Sequence, residues 1–103
     1  KNLKGVSGIE CMPASYDEIT PFMYVIRVKN GKRNKLKTFL MEHDIESGIS
    51  YIPCHHFSLY KGCGANLPVT DSIYEEILCL PIHYELKDED VVTVSNTPLP
   101  FGT

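Results

Sequence analysis

The sequence lacks any apolar run approaching the ~20 residues that a membrane-spanning helix needs. Its first residues also lack the charged-then-apolar succession of a secretory signal. The two absences lead us to expect a cytoplasmic protein with no membrane partner. A basic surplus is missing as well: 10 Lys and Arg stand against 13 Asp and Glu, for a net charge of −3. Proteins that hold nucleic acid ordinarily present a basic face to the phosphates, so nucleic acid is not expected as a partner. Cysteine is sparse, with four residues at positions 11, 54, 63 and 79. The even number allows two disulfides. However, Cys79 lies inside the apolar run ILCL, and the composition supports a core without cross-links, so free thiols in a reducing compartment are expected. No internal repeat and no low-complexity segment is present. The chain opens on Lys1 rather than Met, which points to processing, a lost tag or a fragment.

What is there fits one small domain: 103 residues, 43% of them hydrophobic. Residues 1–21 are punctuated by Gly5, Gly8, Pro13 and Pro21 and read as a connector, with one short strand near Ile9. FMYVIRV (22–28) is β-branched and aromatic and predicts a strand. NGK (30–32) is a turn. A helix is expected over about 34–43, where Leu36, Phe39, Leu40 and His43 recur at helical spacing and Lys32, Arg33, Lys35 and Lys37 form the solvated face. Asp44 stands where a helix end favours Gly or Asn. A second strand is expected near Ile49 to Ile52, then a long loop over 54–69. The next helix is expected to start near Thr70 or Asp71, with Thr70 as N-cap, Ser72 and Glu75 at capping-box spacing and Ile73, Tyr74, Ile77, Leu78 and Leu80 as its apolar side. LPIHYEL (80–86) connects to a last helix from about Asp88, whose acidic first turn suits the helix dipole. There Val91, Val92 and Val94 would pack inward and Pro98 would stop it. The expected fold class is α/β (α+β): a small two-layer domain with a short sheet packed by about three helices.

The chemistry-bearing residues gather in SYIPCHHF (50–57). Cys54, His55, His56 and Cys63 are all possible zinc ligands, yet adjacent histidines rarely both reach one tetrahedral ion, neither Cys-x-x-Cys nor His-x3-His spacing is present, and a metal is not expected. Cys54 beside a histidine base would need a third group to orient that base, and none is evident. Cys54, Cys63 and Cys79 therefore read as small buried or half-buried residues. Tyr60 and Lys61 lie in the long loop, within reach of a phosphate.

The succession YVIRV, NKLKTFLMEHDI, SGISYIPCH and NLPVTDSIYEEILCLPIHYELKDEDV resembles the C-terminal domain of the DegT/DnrJ/StrS family, which are pyridoxal-phosphate-dependent aminotransferases acting on nucleotide-linked keto sugars. The resemblance covers about residues 20–95 and is sharpest over LPVTD…EEILCLPIH (67–83). It implies that residues 22–103 are the small C-terminal domain, like that of fold-type I aminotransferases, and that 1–21 connect it to a missing large domain. It implies a parent that moves an amino group, typically from glutamate, to a nucleotide-linked keto sugar. Pyridoxal phosphate would be held as a Schiff base by a lysine of that large domain, so this piece alone would be inactive. A homodimeric parent is implied too. In the family, residues matching 50–55 commonly read His-Tyr-x-Pro-x-His. Tyr51, Pro53 and His55 keep their places and Ser50 replaces the first His. Tyr51, His55 and Ser50 would then bind substrate, with Ser50 unable to titrate near neutral pH, while His56 would point to solvent and His83 would be a packing residue. Two readings from other classes compete: a stand-alone module that binds a small molecule or partner without catalysis, and a structural interaction domain in which the Cys/His cluster is incidental.

Overall fold

The computed structural model describes Leu3 and residues 8–96, with side chains as far as Thr93. Among the described residues the elements run β1 (Ile9–Cys11), β2 (Tyr24–Val28), α1 (Arg33–Glu42), α2 (Pro68–Tyr74), β3 (Ile77–Leu80) and α3 (Asp88–Asn96). Two single-turn 3-10 helices, Cys54–His56 and Lys61–Cys63, lie between α1 and α2. The strands form one antiparallel sheet in the order β1-β2-β3, which is the small α/β architecture expected.

The register divides the sheet into two chemically distinct faces. Cys11 pairs with Ile26, and Ile26 with Leu78; Glu10 pairs with Arg27, and Arg27 with Ile77. Residues directly opposite each other in an antiparallel pair share a face. The first face is apolar. Ile26, Val28 and Leu78 are buried there beneath Leu36 and Leu40 of α1, with Leu3 and Ile45 completing the cluster. The second face carries an ion network. Glu76 accepts from Arg27 at 2.7 Å and Lys29 at 3.3 Å, and Glu10 lies 3.4 Å from Arg27.

Helix α1 is set by the turns at its two ends. Asn30 and Gly31 both take left-handed backbone, φ 64° and 69°, which glycine adopts freely and Asn tolerates. At the other end Asp44 is left-handed at φ 61°. There the Ile45 N–H donates to Leu40 O (2.8 Å) and the Asp44 N–H to Met41 O (3.1 Å). This is a Schellman closure, and its usual apolar contact is supplied by Leu40 and Ile45, both buried. The preference for Gly or Asn read at position 44 thus has a backbone cause.

Several expectations are corrected. The segment over 49–52 forms no strand; the chain there touches the sheet through one bridge, Gly48 to Cys79, with N–H···O distances of 3.1 and 2.7 Å. The second partner of β2 is instead Ile77–Leu80, which the helical spacing had joined to α2. Helix α2 starts earlier, with Leu67 as N-cap and Pro68 at its first position, where a missing N–H costs nothing. Arg33 is not on a solvated face. It is buried, its guanidinium donating to Tyr74 O (2.9 Å) and Ile77 O (3.2 Å) and lying 5.6 Å from the Tyr74 ring. It thereby ties the start of α1 to the joint between α2 and β3. Val91 and Val92 of α3 are exposed rather than packed inward. The Val94 side chain and Pro98 lie outside the described residues.

Candidate functional site

Pro53 is buried and extended (φ −56°, ψ 138°), and it launches the 3-10 turn Cys54–His56. The turn is closed by His56 N–H to Pro53 O (2.9 Å) and Phe57 N–H to Cys54 O (3.1 Å). It presents two consecutive imidazoles to α2. His55 Nε2 lies 2.7 Å from Asp71 Oδ1, and His56 Nε2 lies 2.6 Å from the same oxygen. The two rings meet edge to face at 4.4 Å, and His56 lies edge-on to Tyr74 at 5.7 Å. His55 is the more enclosed of the pair, its side chain 12% exposed against 37% for His56.

The electrostatics follow from the convergence. Hydrogen bonding from His56, and then from His55, holds the Asp71 carboxyl below its ordinary value of 3.8. An ionised carboxylate only accepts, so each imidazole donates Nε2–H to Asp71. In the neutral ring this leaves Nδ1 as the basic nitrogen, able to accept a hydrogen bond or a proton from a bound molecule. A carboxylate that fixes a histidine's tautomer is the orienting arrangement of general-base sites.

The predicted site residues divide. His55 is at the centre of the cluster. Ser50 is half-buried and Tyr51 exposed, two residues and more ahead of the turn, and neither side chain hydrogen-bonds to another described residue. Expectation missed two participants. His56 does not point away to solvent, and Asp71 had been read only as a residue near a helix start. No local signal links Asp71 to His55 across 16 positions; only its place in the first turn of a helix facing the loop marks it. Cys54 and Cys63 are exposed free thiols rather than buried ones, while Cys11 and Cys79 are half-buried. Tyr60 and Lys61 are exposed on the second 3-10 turn. His83 is exposed too, at the rim of a shallow depression of about 310 Å³ beside Glu46, Ser47 and Pro81.

Comparison with known proteins places this geometry in a family. The model of the DegT/DnrJ/EryC1/StrS aminotransferase family matches residues 1–97, and the chain belongs to that family. It is 28% identical over 102 residues to the dTDP-4-amino-4,6-dideoxy-D-glucose transaminase of Escherichia coli, covering 90% of this chain and 28% of that protein. The aminotransferase TlmJ of Streptoalloteichus hindustanus superposes with a TM-score of 0.82 at 32% identity, over 93% of this chain and 26% of its own. AtS13 of Actinomadura melliaura gives 0.84 at 25% identity, over 99% of this chain and 27% of its own. A Streptococcus pneumoniae protein described as a sugar aminotransferase, 26% identical with a TM-score of 0.81 over 93% of this chain and 26% of its own, has been solved in PLP and PMP forms. The chain spans about a quarter of the length of these relatives.

The residues at the site do not make a holder for that cofactor. The groups that converge are two imidazoles and a carboxylate, with no lysine amine among them. The nearest helix start is opened by Pro68, which has no N–H to offer a phosphate.

Proposed function

We propose that this chain is the small C-terminal part of a pyridoxal-phosphate-dependent aminotransferase that transfers an amino group from an amino-acid donor, glutamate in the first instance, to a nucleotide-linked keto sugar. The observation that carries the reading is the oriented His55, held by Asp71 on the SYIPCHH turn of a chain matched to this aminotransferase family over residues 1–97. When bound elsewhere in the parent, the cofactor would supply the electron sink for amino transfer. A lysine outside this chain would hold it, so the chain alone would be inactive.

What these residues contribute is recognition. His55, with Nε2–H committed to Asp71, offers Nδ1 to a hydroxyl or ammonium of the substrate. Tyr51, 69% exposed, presents both a ring face and a phenolic O–H. Ser50 supplies a short hydroxyl that donates or accepts one hydrogen bond. Pro53, buried and extended, sets the turn that carries His55. The exposed apolar residues around the turn, including Leu59 at 80% and Val69 at 70%, suit contact with the rest of a cytoplasmic, homodimeric parent. No helix among the described residues is long and apolar enough to cross a membrane.

The test is the full-length gene product, assayed with glutamate and a series of keto-sugar nucleotides. The expected result is glutamate-dependent amination, with a His55→Asn variant raising KM for the sugar nucleotide more than it lowers kcat. A full-length protein that carries no cofactor absorption and aminates no sugar nucleotide would overturn the reading.

A further inference from the structure

The same turn has a second capability, independent of amino transfer. One ligand atom each from His55, His56 and Asp71 lie within 4.8 Å of one another. Two imidazole nitrogens and a carboxylate oxygen are a donor set that suits zinc and its first-row neighbours. The spacing is close to what an ion requires. Tetrahedral zinc with bonds of about 2.0–2.1 Å holds its ligand atoms roughly 3.3 Å apart. The two nitrogens stand 2.7 and 2.6 Å from the Asp71 oxygen, closer than ion-bound ligand atoms sit, so the carboxylate must retreat by roughly 0.6 Å to admit zinc, with the three ligand atoms already within 4.8 Å of one another. Asp71 is free to do so, with 43% of its side chain exposed on α2. The imidazoles are less free. His55 is largely enclosed, and His56 stands against the ring of Tyr74, which is itself packed under the buried Arg33.

The adjacency that argued against a metal from sequence is resolved by this geometry. Two consecutive side chains of an extended strand point to opposite faces, whereas here the 3-10 turn brings both Nε2 atoms to the same Asp71 oxygen. We infer that His55, His56 and Asp71 form a three-ligand site for a divalent first-row cation, zinc foremost, with the fourth position open to water or to an oxygen of a bound molecule. Both rings would coordinate through Nε2 and carry their protons on Nδ1, so the hydrogen bonds to Asp71 and the metal are alternatives. The exposed thiols of Cys54 and Cys63 are not part of the set.

The experiment uses the full-length protein, stripped with chelator and titrated with Zn2+ alone by calorimetry, then with Co2+ by visible spectroscopy. One equivalent should bind. Asp71→Asn and His56→Gln should each weaken binding by at least the roughly 10–100-fold that losing a mere hydrogen-bond partner of a ligand costs. The cobalt form should show the absorption of a low-coordinate nitrogen and oxygen site, without a sulfur charge-transfer band. The cobalt spectrum of the unaltered protein decides by itself even if a variant fails to fold. Absence of saturable binding, a thiolate band, or well-folded variants that bind as tightly as the parent would each overturn the assignment. Amino transfer need not be present for any of these readouts.

Discussion

Asp44 holds a left-handed backbone that costs an L-residue with a side chain about 1 kcal/mol relative to glycine. Its side chain is exposed, and the Schellman bonds that close α1 use only its backbone. Asp44→Gly should therefore raise unfolding free energy by about 1 kcal/mol, read as a higher denaturant midpoint at unchanged slope. Tyr24 makes a second prediction at this scale. Burial, aided by the hydrogen bond to the Cys11 thiol at 3.9 Å, pushes its phenol up from 10.0 to about 12. A phenol whose folded value exceeds its unfolded one leaves stability intact below pH 10 and erodes it as the pH rises towards 12. Spectrophotometric titration should show a tyrosinate appearing only near pH 12, lost in Tyr24→Phe, and that substitution should flatten the alkaline loss.

Among the elements, Arg33 fastens three at once. Removing its guanidinium leaves the carbonyls of Tyr74 and Ile77 without their partner. Arg33→Leu should cost about 1–3 kcal/mol, and Arg33→Lys should not restore it, since an ammonium cannot reproduce the planar fork or lie over Tyr74 in the same way. Thermal melting of the two variants checks both statements. Arg33 also shows what was legible. The helix itself was, because Leu36 and Leu40 recur at its spacing and both are buried. The role of Arg33 was not, because a cation before a helix ordinarily faces water and only the fold brings two carbonyls within its reach. The strand β2 was visible in its β-branched residues, with Phe22 outside it and exposed. The stretch ILCL defeated periodicity: a run of four apolar residues fits a helix face or a strand equally well. What decides it is the partner, Tyr24–Arg27, some fifty positions earlier. The site was half legible for the same reason. The residues of one loop could be read together, but Asp71, which gives them their orientation, arrives from another element.

At the scale of the whole molecule, the open face of the sheet couples stability to acid. Arg27, and then Lys29, hold the Glu76 carboxyl below its ordinary value of 4.5. A carboxyl so lowered contributes stability above 4.5 that is lost as the pH falls through its folded value. Glu76→Gln should remove that acid dependence while leaving a smaller effect in high salt, because the ion network is partly exposed and screened. Denaturation followed from pH 7 down to pH 3 in low and high salt would show it, and a slope unchanged by the substitution would contradict it.

The order β1-β2-β3 has a further consequence, for how the domain assembles in time. β2 meets β1 and α1 through short excursions of the chain, while its other neighbour arrives only after the whole segment bearing the histidine turn has been made. Closing so long a loop is slow, and until it closes Leu78 is missing from the core. Assembly therefore begins as a half-sheet with a helix on it and finishes when β3 docks. That last step also brings the carbonyls of Tyr74 and Ile77 to the Arg33 guanidinium, so the joint between α2 and β3 is fastened to α1 only when the sheet is complete. A chain interrupted between Phe57 and Pro68 would part β3 from β1, β2 and α1, and Asp71 from its two imidazoles, in the same event.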